Sequence, residues 1–257
     1  MYILLIVIII LCFCVVSKSS LTDKPRPIPK IIHKIILLND KNITTYPPDL
    51  QRAINSFKEL NPDYELRVYN YNDCLRYIYQ HFGPRMVEYF EKLKPYAYKS
   101  DLMRMLLLYN EGGFYSDMKE VCLKSFDEVF PKDMTWFSAY DRPVYHMLNA
   151  FIAAPPHHPW IRNTIQLIIH NIDNRYYGNS PLYPTGPAIF FIGCDLKNKK
   201  PTDCFGRFEA SGIHRIYYKD TAVIQNKYDN GKSAWSNSSG NDYSEMWDKN
   251  DVYEKDT

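Results

Sequence analysis

Residues 95–119 read PYAYKSDLMRMLLLYNEGGFYSDMK, and this stretch carries most of the information about the fold. Its apolar side chains recur at helical spacing, at Leu102, Met105, Leu106 and Tyr109. They predict a helix from Pro95 to about Asn110 with one face buried. The Gly112-Gly113 pair predicts the end of that helix, because glycine adopts the left-handed backbone of a helix end without steric cost. A short buried strand, Phe114–Ser116, is expected next.

Three polar side chains in this stretch form the candidate catalytic set. Asp101 and Arg104 lie one helical turn apart and therefore share a helix face. Asp117 directly follows the predicted strand, and Gly113 lets a ligand approach the backbone closely. A guanidinium suits phosphate oxygens and a strand-end carboxylate suits Mn²⁺ or Mg²⁺. Asp101 and Arg104 alone could be an ordinary ion pair, but together with Asp117 they favour an enzyme that binds a nucleotide sugar.

The rest of the chain predicts one α/β domain. Its 257 residues suffice for one such domain with appendages. A strand at Lys30–Leu38, a helix at Pro47–Glu59 and a strand at Tyr64–Tyr69 predict a parallel pair of strands joined by a crossover. The further predicted elements are two helices within Tyr71–Phe90 broken at Gly83-Pro84, strands at Thr135–Ala139 and Asn149–Ala153, and a helix at Trp160–Ile172. After about Pro181 the pattern is too weak for assignment.

Composition limits the partners. The 31 Lys and Arg residues nearly balance the 29 Asp and Glu residues, and no basic stripe runs along any element. This balance argues against a nucleic-acid partner. The 22 tyrosines include candidates for stacking on sugars, although most are expected to serve the core.

The N-terminus predicts entry into the secretory pathway. Residues 1–17 contain an apolar run of about 15 residues, which is typical of a signal peptide or an uncleaved signal-anchor. Residues 18–29 are a proline-rich stem, and residues 30–257 form the domain. Asn42-Ile43-Thr44 and Asn237-Ser238-Ser239 are acceptor patterns for N-glycosylation. In an oxidising lumen Cys194 and Cys204 could form a local disulfide.

Pro95–Lys124 resembles the glycosyltransferase family with DXD sugar-binding regions, which includes the yeast initiating α-1,6-mannosyltransferase and inositol phosphorylceramide mannosyltransferases. Other stretches that match in order are Ile28–His33, Asn61–Tyr64, Asn149–Phe151, His158-Pro159, Thr185–Pro187 and Tyr243–Trp247. The resemblance covers roughly residues 28–250. It implies a GT-A-like α/β fold with a mixed, mostly parallel sheet flanked by helices. It also implies a nucleotide-sugar donor, retention of anomeric configuration and a membrane location in the Golgi or endoplasmic reticulum.

Site roles follow from the same resemblance. Asp101, Arg104 and Asp117 would be catalytic. The donor-binding set would be His33, Asp101, Arg104, Gly113, Asp117, Lys119, Thr185 and Gly186. Lys34 would border the nucleotide beside His33, for which an orienting or core role is favoured over that of a base.

Two departures from the family pattern concern the metal. The Asp-x-Asp motif reads Asp117-Met118-Lys119, so a lysine stands at the second carboxylate position. The late histidine-containing stretch corresponds to Tyr228–Trp235, which lacks histidine. A hard cation held by Asp117 alone would bind weakly. Three alternatives are open: Glu120 or Asp229 supplies the second ligand, Lys119 itself offsets the diphosphate charge, or the protein binds a donor without turning it over.

The leading interpretation is a hexosyltransferase that moves mannose from GDP-mannose, or a hexose from a UDP-sugar, with weakened need for Mn²⁺ or Mg²⁺. The acceptor would be a glycan or a glycolipid such as inositol phosphorylceramide. The membrane would be contacted through residues 1–17, and the resemblance leaves room for a regulatory subunit. The protein would be lumenal, or secreted if the N-terminal segment is cleaved. The alternative is a non-catalytic carbohydrate- or partner-binding protein on a degenerate transferase scaffold.

Overall fold

The computed structural model of the protein describes residues 28–141, 146–211, 213–226 and 241–255. Within these ranges nine strands form one sheet in the order β2-β1-β3-β6-β5-β7-β8-β9-β4. The strands are β1 Ile31–Ile35, β2 Glu65–Tyr69, β3 Gly113–Ser116, β4 Glu120–Cys122, β5 Trp136–Tyr140, β6 Met147–Ala154, β7 Asp203–Glu209, β8 Arg215–Tyr218 and β9 Thr221–Asn226.

Eight α-helices flank this sheet in the described part of the chain. They are α1 Pro48–Leu60, α2 Tyr71–Phe82, α3 Pro84–Lys92, α4 Tyr96–Glu111, α5 Phe126–Val129, α6 Pro159–Asp173, α7 Pro187–Gly193 and α8 Tyr243–Asp248. Every helix and strand predicted from the sequence is present. The structure adds the short β4 and α5, and it resolves the region after Pro181 into α7, β7, β8, β9 and a 3₁₀ turn at Leu196–Asn198.

The sheet is mixed, as predicted, but parallel pairs are in the minority. β1 pairs in parallel with β2 and β3, and β5 pairs in parallel with β7. The other five pairs, β3–β6, β5–β6, β7–β8, β8–β9 and β4–β9, are antiparallel. The predominance of parallel pairs that the resemblance implied is therefore wrong, whereas the parallel pairing predicted for the N-terminal β–α–β unit is present. Parallel pairing does not dominate the second half of the chain, where short connections between β7, β8 and β9 allow antiparallel pairing.

The Gly112-Gly113 break is required by backbone geometry and by space. Gly112 and Gly113 have φ of +68° and +97°. A Cβ on Gly112 would lie 2.6 Å from the nitrogen of Pro156, and one on Gly113 would lie 2.6 Å from the carbonyl oxygen of Ile31. Only glycine therefore lets α4 end and β3 begin directly against β1.

The two faces of the sheet are packed differently. One face is covered by the apolar sides of α4, α6 and α7, including Leu102, Ile161 and Phe190. The other holds a phenylalanine-rich group: Phe114, Phe126, Phe130, Phe137 and Phe151. The C-terminal segment meets the start of α4, where the side-chain oxygen of Asn241 accepts a hydrogen bond from the Tyr96 amide at 2.6 Å. This contact ties the C-terminal segment to the first turn of the helix that carries Asp101.

Some predictions fall on residues that the structure does not describe, and one prediction is corrected by it. Residues 1–17 and most of the stem lie outside the described ranges, as does Asp229. Among the described residues no helix is both long and apolar enough to cross a membrane. The suggested Cys194–Cys204 disulfide is absent, since both thiols are free. Cys194 contacts the sulfur of Met147 at 3.7 Å, whereas Cys204 lies 3.3 Å from the hydroxyl of Tyr218.

Burial of two histidines predicts acid sensitivity. Desolvation lowers the pKa of both His33 and His158 to about 4. Between pH 6.5 and 4 the unfolded chain therefore binds protons that the native state does not, so the free energy of unfolding falls as the pH falls. Each ring contributes up to about 3 kcal/mol to this loss. Urea unfolding at a series of pH values measures it.

The variant His158→Asn isolates one of these contributions. The Nδ1 of His158 accepts the amide of Trp160 at the start of α6, and asparagine retains such a cap. We expect the variant to lose less stability than the wild type between pH 6.5 and 4. An unchanged pH slope would show that His158 titrates normally in the native protein.

Candidate active site

Asp101, Arg104 and Asp117, here called the arginine cluster, converge at the carboxyl end of β3. Asp101 and Arg104 lie on α4, and Asp117 follows β3 directly. The Nη2 of Arg104 is 3.0 Å from Asp101 Oδ1 and 3.3 Å from Asp117 Oδ1. One guanidinium nitrogen thus bridges two carboxylates that are sixteen positions apart in the sequence.

Asp101 is the buried member of the cluster, and both of its oxygens are engaged. Asn149 Nδ2 donates to Oδ1 at 2.9 Å, and Thr185 Oγ1 donates to Oδ2 at 2.7 Å. Burial raises the pKa of Asp101, an effect that Arg104 and the Thr185 hydrogen bond partly offset. Gly186 lies beside this carboxylate, and a Cβ at that position would be in ordinary van der Waals contact with Oδ2, at 3.5 Å. Asp101 therefore fixes its neighbours rather than facing solvent.

Arg104 is held in one orientation by the protein. Its Nη1 donates to the Asn149 carbonyl at 2.6 Å, and its Nε donates to the Ser100 carbonyl at 3.2 Å. The guanidinium lies over the Tyr115 ring, 4.6 Å from the centroid. The positive charge is therefore preorganised, and little side-chain entropy remains to be lost when a ligand binds.

Asp117 is the member that reaches solvent, with 40% of its side chain exposed. Tyr115 Oη donates to Oδ1 at 2.7 Å, which fixes that oxygen beside Arg104. The Asp117 amide donates to the Ala150 carbonyl at 2.8 Å and so continues the β3–β6 ladder by one residue. The arrangement presents a carboxylate to a ligand with a buried cation directly behind it.

The other predicted donor residues occupy distinct places. Thr185 and Gly186 touch the arginine cluster through Asp101, and Lys119 lies partly buried in the turn after Asp117. His33 is fully buried: its Nε2 lies 2.9 Å from the Gly112 carbonyl oxygen and its Nδ1 lies 3.3 Å from Tyr69 Oη. These contacts orient the glycine break, and a direct donor contact by His33 stays a prediction.

A divalent cation would find one exposed carboxylate here. Glu120 is buried, and its Oε2 accepts from Ser116 Oγ at 2.8 Å. Burial and the nearby Asp117 charge raise the pKa of Glu120 well above its ordinary value, which disfavours the ionised form that a cation needs. Residues 28–141, 146–211, 213–226 and 241–255 contain no group of three or more His, Cys, Asp or Glu side chains able to hold a metal. The described residues alone do not complete a cation site.

Sequence reasoning did not assign roles to two residues that complete the cluster. Asn149 binds Asp101 through its amide and Arg104 through its carbonyl. Tyr115 contacts both Arg104 and Asp117. The family-like stretch Asn149–Phe151 was the available signal for Asn149, but its role depends on the pairing of β6 with β3.

A pocket of about 480 Å³ lies elsewhere, between the α1–β2 turn and the β4–α5 loop. Asn61, Tyr64, Leu123 and Asp127 are among the residues that line it. It precedes β2, whereas the arginine cluster follows β3, and β2 and β3 are both parallel to β1. The pocket is therefore at the opposite edge of the sheet, and none of the predicted site residues lines it.

Known proteins share this sequence region and this fold. Residues 47–136, which include the whole arginine cluster, match the family described as glycosyltransferase sugar-binding region containing DXD motif. The chain carries this glycosyltransferase sugar-binding region. The resemblance predicted from Pro95–Lys124 is confirmed, with Lys119 standing at the second carboxylate position of the motif.

Two relatives and one solved structure define the likeness further. The chain is 29% identical over 134 residues to an uncharacterised glycosyltransferase of Acanthamoeba polyphaga mimivirus, covering 51% of this chain and 52% of that protein. It is 29% identical over 187 residues to inositol phosphoceramide mannosyltransferase 2 of Schizosaccharomyces pombe, covering 72% and 51% respectively. The chain thus spans about half the length of these two relatives.

The PaToxG glycosyltransferase structure superposes with a TM-score of 0.51 at 22% identity, covering 68% of this chain and 70% of that chain. The predicted GT-A-like fold of the sugar-binding region is confirmed.

Removing the buried cation tests the geometry of this region. Arg104→Met leaves Asp101 buried without its partner, so we expect the free energy of unfolding to fall by about 3–5 kcal/mol. In an Asp101→Asn background the same substitution removes a charge partner only from the partly exposed Asp117, so it should cost clearly less. Urea unfolding at pH 7 gives both values.

A matched control is the exposed pair of Asp73 and Arg76, which has the same i,i+3 spacing on α2. Arg76→Met should change the unfolding free energy by less than about 1 kcal/mol. Equal effects of Arg104→Met and Arg76→Met would mean that the arginine cluster is solvated.

Proposed function

We propose that this protein is a hexosyltransferase that uses a nucleotide-sugar donor. The observation that carries the proposal is the convergence of Asp101, Arg104 and Asp117 at the carboxyl end of β3, with only Asp117 reaching solvent. Ligands of open α/β sheets bind outside the carboxyl ends of the strands. A ligand at this edge meets a carboxylate, and immediately behind it a fixed positive charge.

The geometry supplies two of the interactions that such a reaction needs. The outward oxygen of Asp117 is placed to accept hydrogen bonds from ribose or sugar hydroxyls. Cleavage of the sugar–phosphate bond leaves negative charge on the diphosphate, and a preorganised guanidinium such as Arg104 stabilises developing charge. Asp101, Asn149 and Thr185 contribute by holding Arg104 still.

The finer parts of the proposal draw on the relatives. A mannosyl donor, GDP-mannose, is favoured over a UDP-hexose because one relative is named as an inositol phosphoceramide mannosyltransferase. The same name favours a glycolipid acceptor, with a glycan as the alternative. The family resemblance favours retention of anomeric configuration and a requirement for Mn²⁺ or Mg²⁺. Lys119 at the second carboxylate position weakens the case for the metal requirement.

Location and organisation complete the proposal. Residues 1–17 would anchor the protein in a Golgi or endoplasmic reticulum membrane, or be cleaved to release it, and residues 18–29 would separate the anchor from a lumenal domain at 30–257. Asn42 is exposed, as an N-glycosylated side chain must be. A regulatory subunit is compatible with this arrangement.

A carbohydrate-binding protein without transferase activity is the second candidate, and Lys119 favours it. The two candidates differ in turnover, so the response to Lys119→Asp discriminates between them. If Mn²⁺-dependent hydrolysis of the donor is found only in the variant, the natural protein is a binder. Donor turnover by the wild type supports the enzyme.

Donor binding is measured by thermal shift with GDP-mannose, UDP-galactose and UDP-glucose, each with and without Mn²⁺. A donor at a concentration 100 times its Kd stabilises the native state by about 2.7 kcal/mol, which raises the Tm by several degrees. We expect a shift with at least one donor and loss of most of it in Asp117→Asn.

Asp127→Asn is the matched control for this loss. Asp127 is exposed, pairs with Lys30 and lies at the opposite edge of the sheet. The control should retain the full shift. The absence of a shift with every donor, or an equal loss in both variants, would contradict a donor site at the arginine cluster.

A further inference from the structure

A buried lysine lies beneath the turn Asp117–Glu120, here called the Asp117 turn. Lys34 is the fourth residue of β1, and its side chain is fully buried. Its Nζ donates to the Asp117 carbonyl at 2.8 Å, to Ser116 Oγ at 3.2 Å and to the Glu120 carbonyl at 3.4 Å. The ammonium thus binds Ser116, which precedes the turn, and both end residues of the turn, Asp117 and Glu120.

The sheet register explains this placement. β1 and β3 are parallel with His33 opposite Tyr115, so the next residues, Lys34 and Ser116, share the opposite face of the sheet. Phe57 of α1 covers that face, and its ring centroid is 3.9 Å from the Nζ. The ammonium has no route to solvent and is directed at the turn.

The same carbonyl defines the turn. The oxygen of Asp117 accepts the Glu120 amide at 3.1 Å, which closes the four-residue turn, and it also accepts from Lys34. On the other face, the Asp117 side chain is held by Tyr115 and Arg104. Asp117 is therefore fixed from both sides of the sheet, through its backbone by Lys34 and through its carboxylate by Arg104.

The charge of Lys34 is compensated locally. The carbonyl oxygens of Asp117 and Glu120 and the hydroxyl of Ser116 accept hydrogen bonds from the ammonium, and Ser116 Oγ in turn donates to the buried Glu120 carboxyl. A buried cation is costly unless it is paired in this way. A neutral apolar side chain would fill the space without that cost, but it would leave the Asp117 and Glu120 carbonyls without these hydrogen bonds.

We propose that Lys34 is a positioning residue that sets the Asp117 turn for donor binding. It acts through the Asp117 backbone and does not touch the donor. The proposal rests on the proposed function, since it assigns Lys34 a role in presenting Asp117 to the nucleotide sugar.

A double-mutant cycle tests it, with Lys34→Met, Asp117→Asn and the double variant compared by donor Kd from calorimetry. If Lys34 acts through Asp117, Lys34→Met weakens donor binding about tenfold in the wild type and by less than about twofold in Asp117→Asn. Equal losses in the two backgrounds, or no loss in either, would overturn the proposal. Lys34→Gln, which keeps a donor group without the charge, replaces Lys34→Met in the cycle if the latter fails to fold.

Lys99 is the matched control, because it is also a buried lysine that donates to backbone carbonyls beside an aromatic ring, but it lies away from the Asp117 turn. Its Nζ donates to the Phe90 and Glu91 carbonyls at 2.8 and 3.3 Å and lies 4.8 Å from the Phe90 ring centroid. Lys99→Met should lower the Tm as Lys34→Met does, but any effect on donor Kd should be the same in both Asp117 backgrounds. Coupling of Lys99 to Asp117 as strong as that of Lys34 would mean that general destabilisation explains both.

Amide hydrogen exchange separates this proposal from the proposed function. Lys34→Met should speed exchange of the Glu120 amide, which closes the turn, at least tenfold relative to Lys99→Met. If the wild type binds no nucleotide sugar, the proposed function fails, and the exchange rates still decide whether Lys34 holds the turn. Unchanged exchange at Glu120 would contradict the positioning role whatever the donor result.

Discussion

The Arg104 guanidinium is shared between the buried Asp101 carboxylate and the partly exposed Asp117 carboxylate, and the site depends on this ion cluster. A charge buried this deeply is tolerated only when every partner is in place. The cluster therefore ties together α4, the end of β3, the start of β6 and the loop before α7, because each of these elements contributes a partner. The geometry of the cluster therefore constrains how these four elements pack, as well as defining the site.

The topology meets this constraint by bringing β3 between a parallel and an antiparallel neighbour. β1 lies on one side with Lys34 beneath the Asp117 turn, and β6 lies on the other with Asn149 behind Arg104. The Gly112-Gly113 break lets α4 run directly into β3, so no loop separates the helix from the strand. As a result, Asp101 and Arg104 from the helix meet Asp117, which follows the next strand, in one ion cluster.

The charged side chains of the site differ in their exposure to solvent, and their roles differ accordingly. Asp101, Arg104 and Lys34 are buried and hydrogen-bonded, whereas Asp117 reaches solvent. Buried charges fixed by hydrogen bonds give electrostatic preorganisation, and the exposed carboxylate provides contact with a ligand. The arrangement keeps the Asp117 carboxylate fixed although a lysine, Lys119, stands at the second carboxylate position of the motif.

Local patterns in the sequence were sufficient for the helix 96–111, the glycine break, the strand that follows and the candidate set Asp101, Arg104 and Asp117. These features depend on helical periodicity and on the backbone freedom of glycine, which act over a few residues. The antiparallel half of the sheet, the role of Asn149, the burial of Lys34 and Glu120, and the separation of Cys194 from Cys204 were decided only in three dimensions. They depend on which strands pair and in what register, and a single chain does not encode those long-range contacts in its local composition.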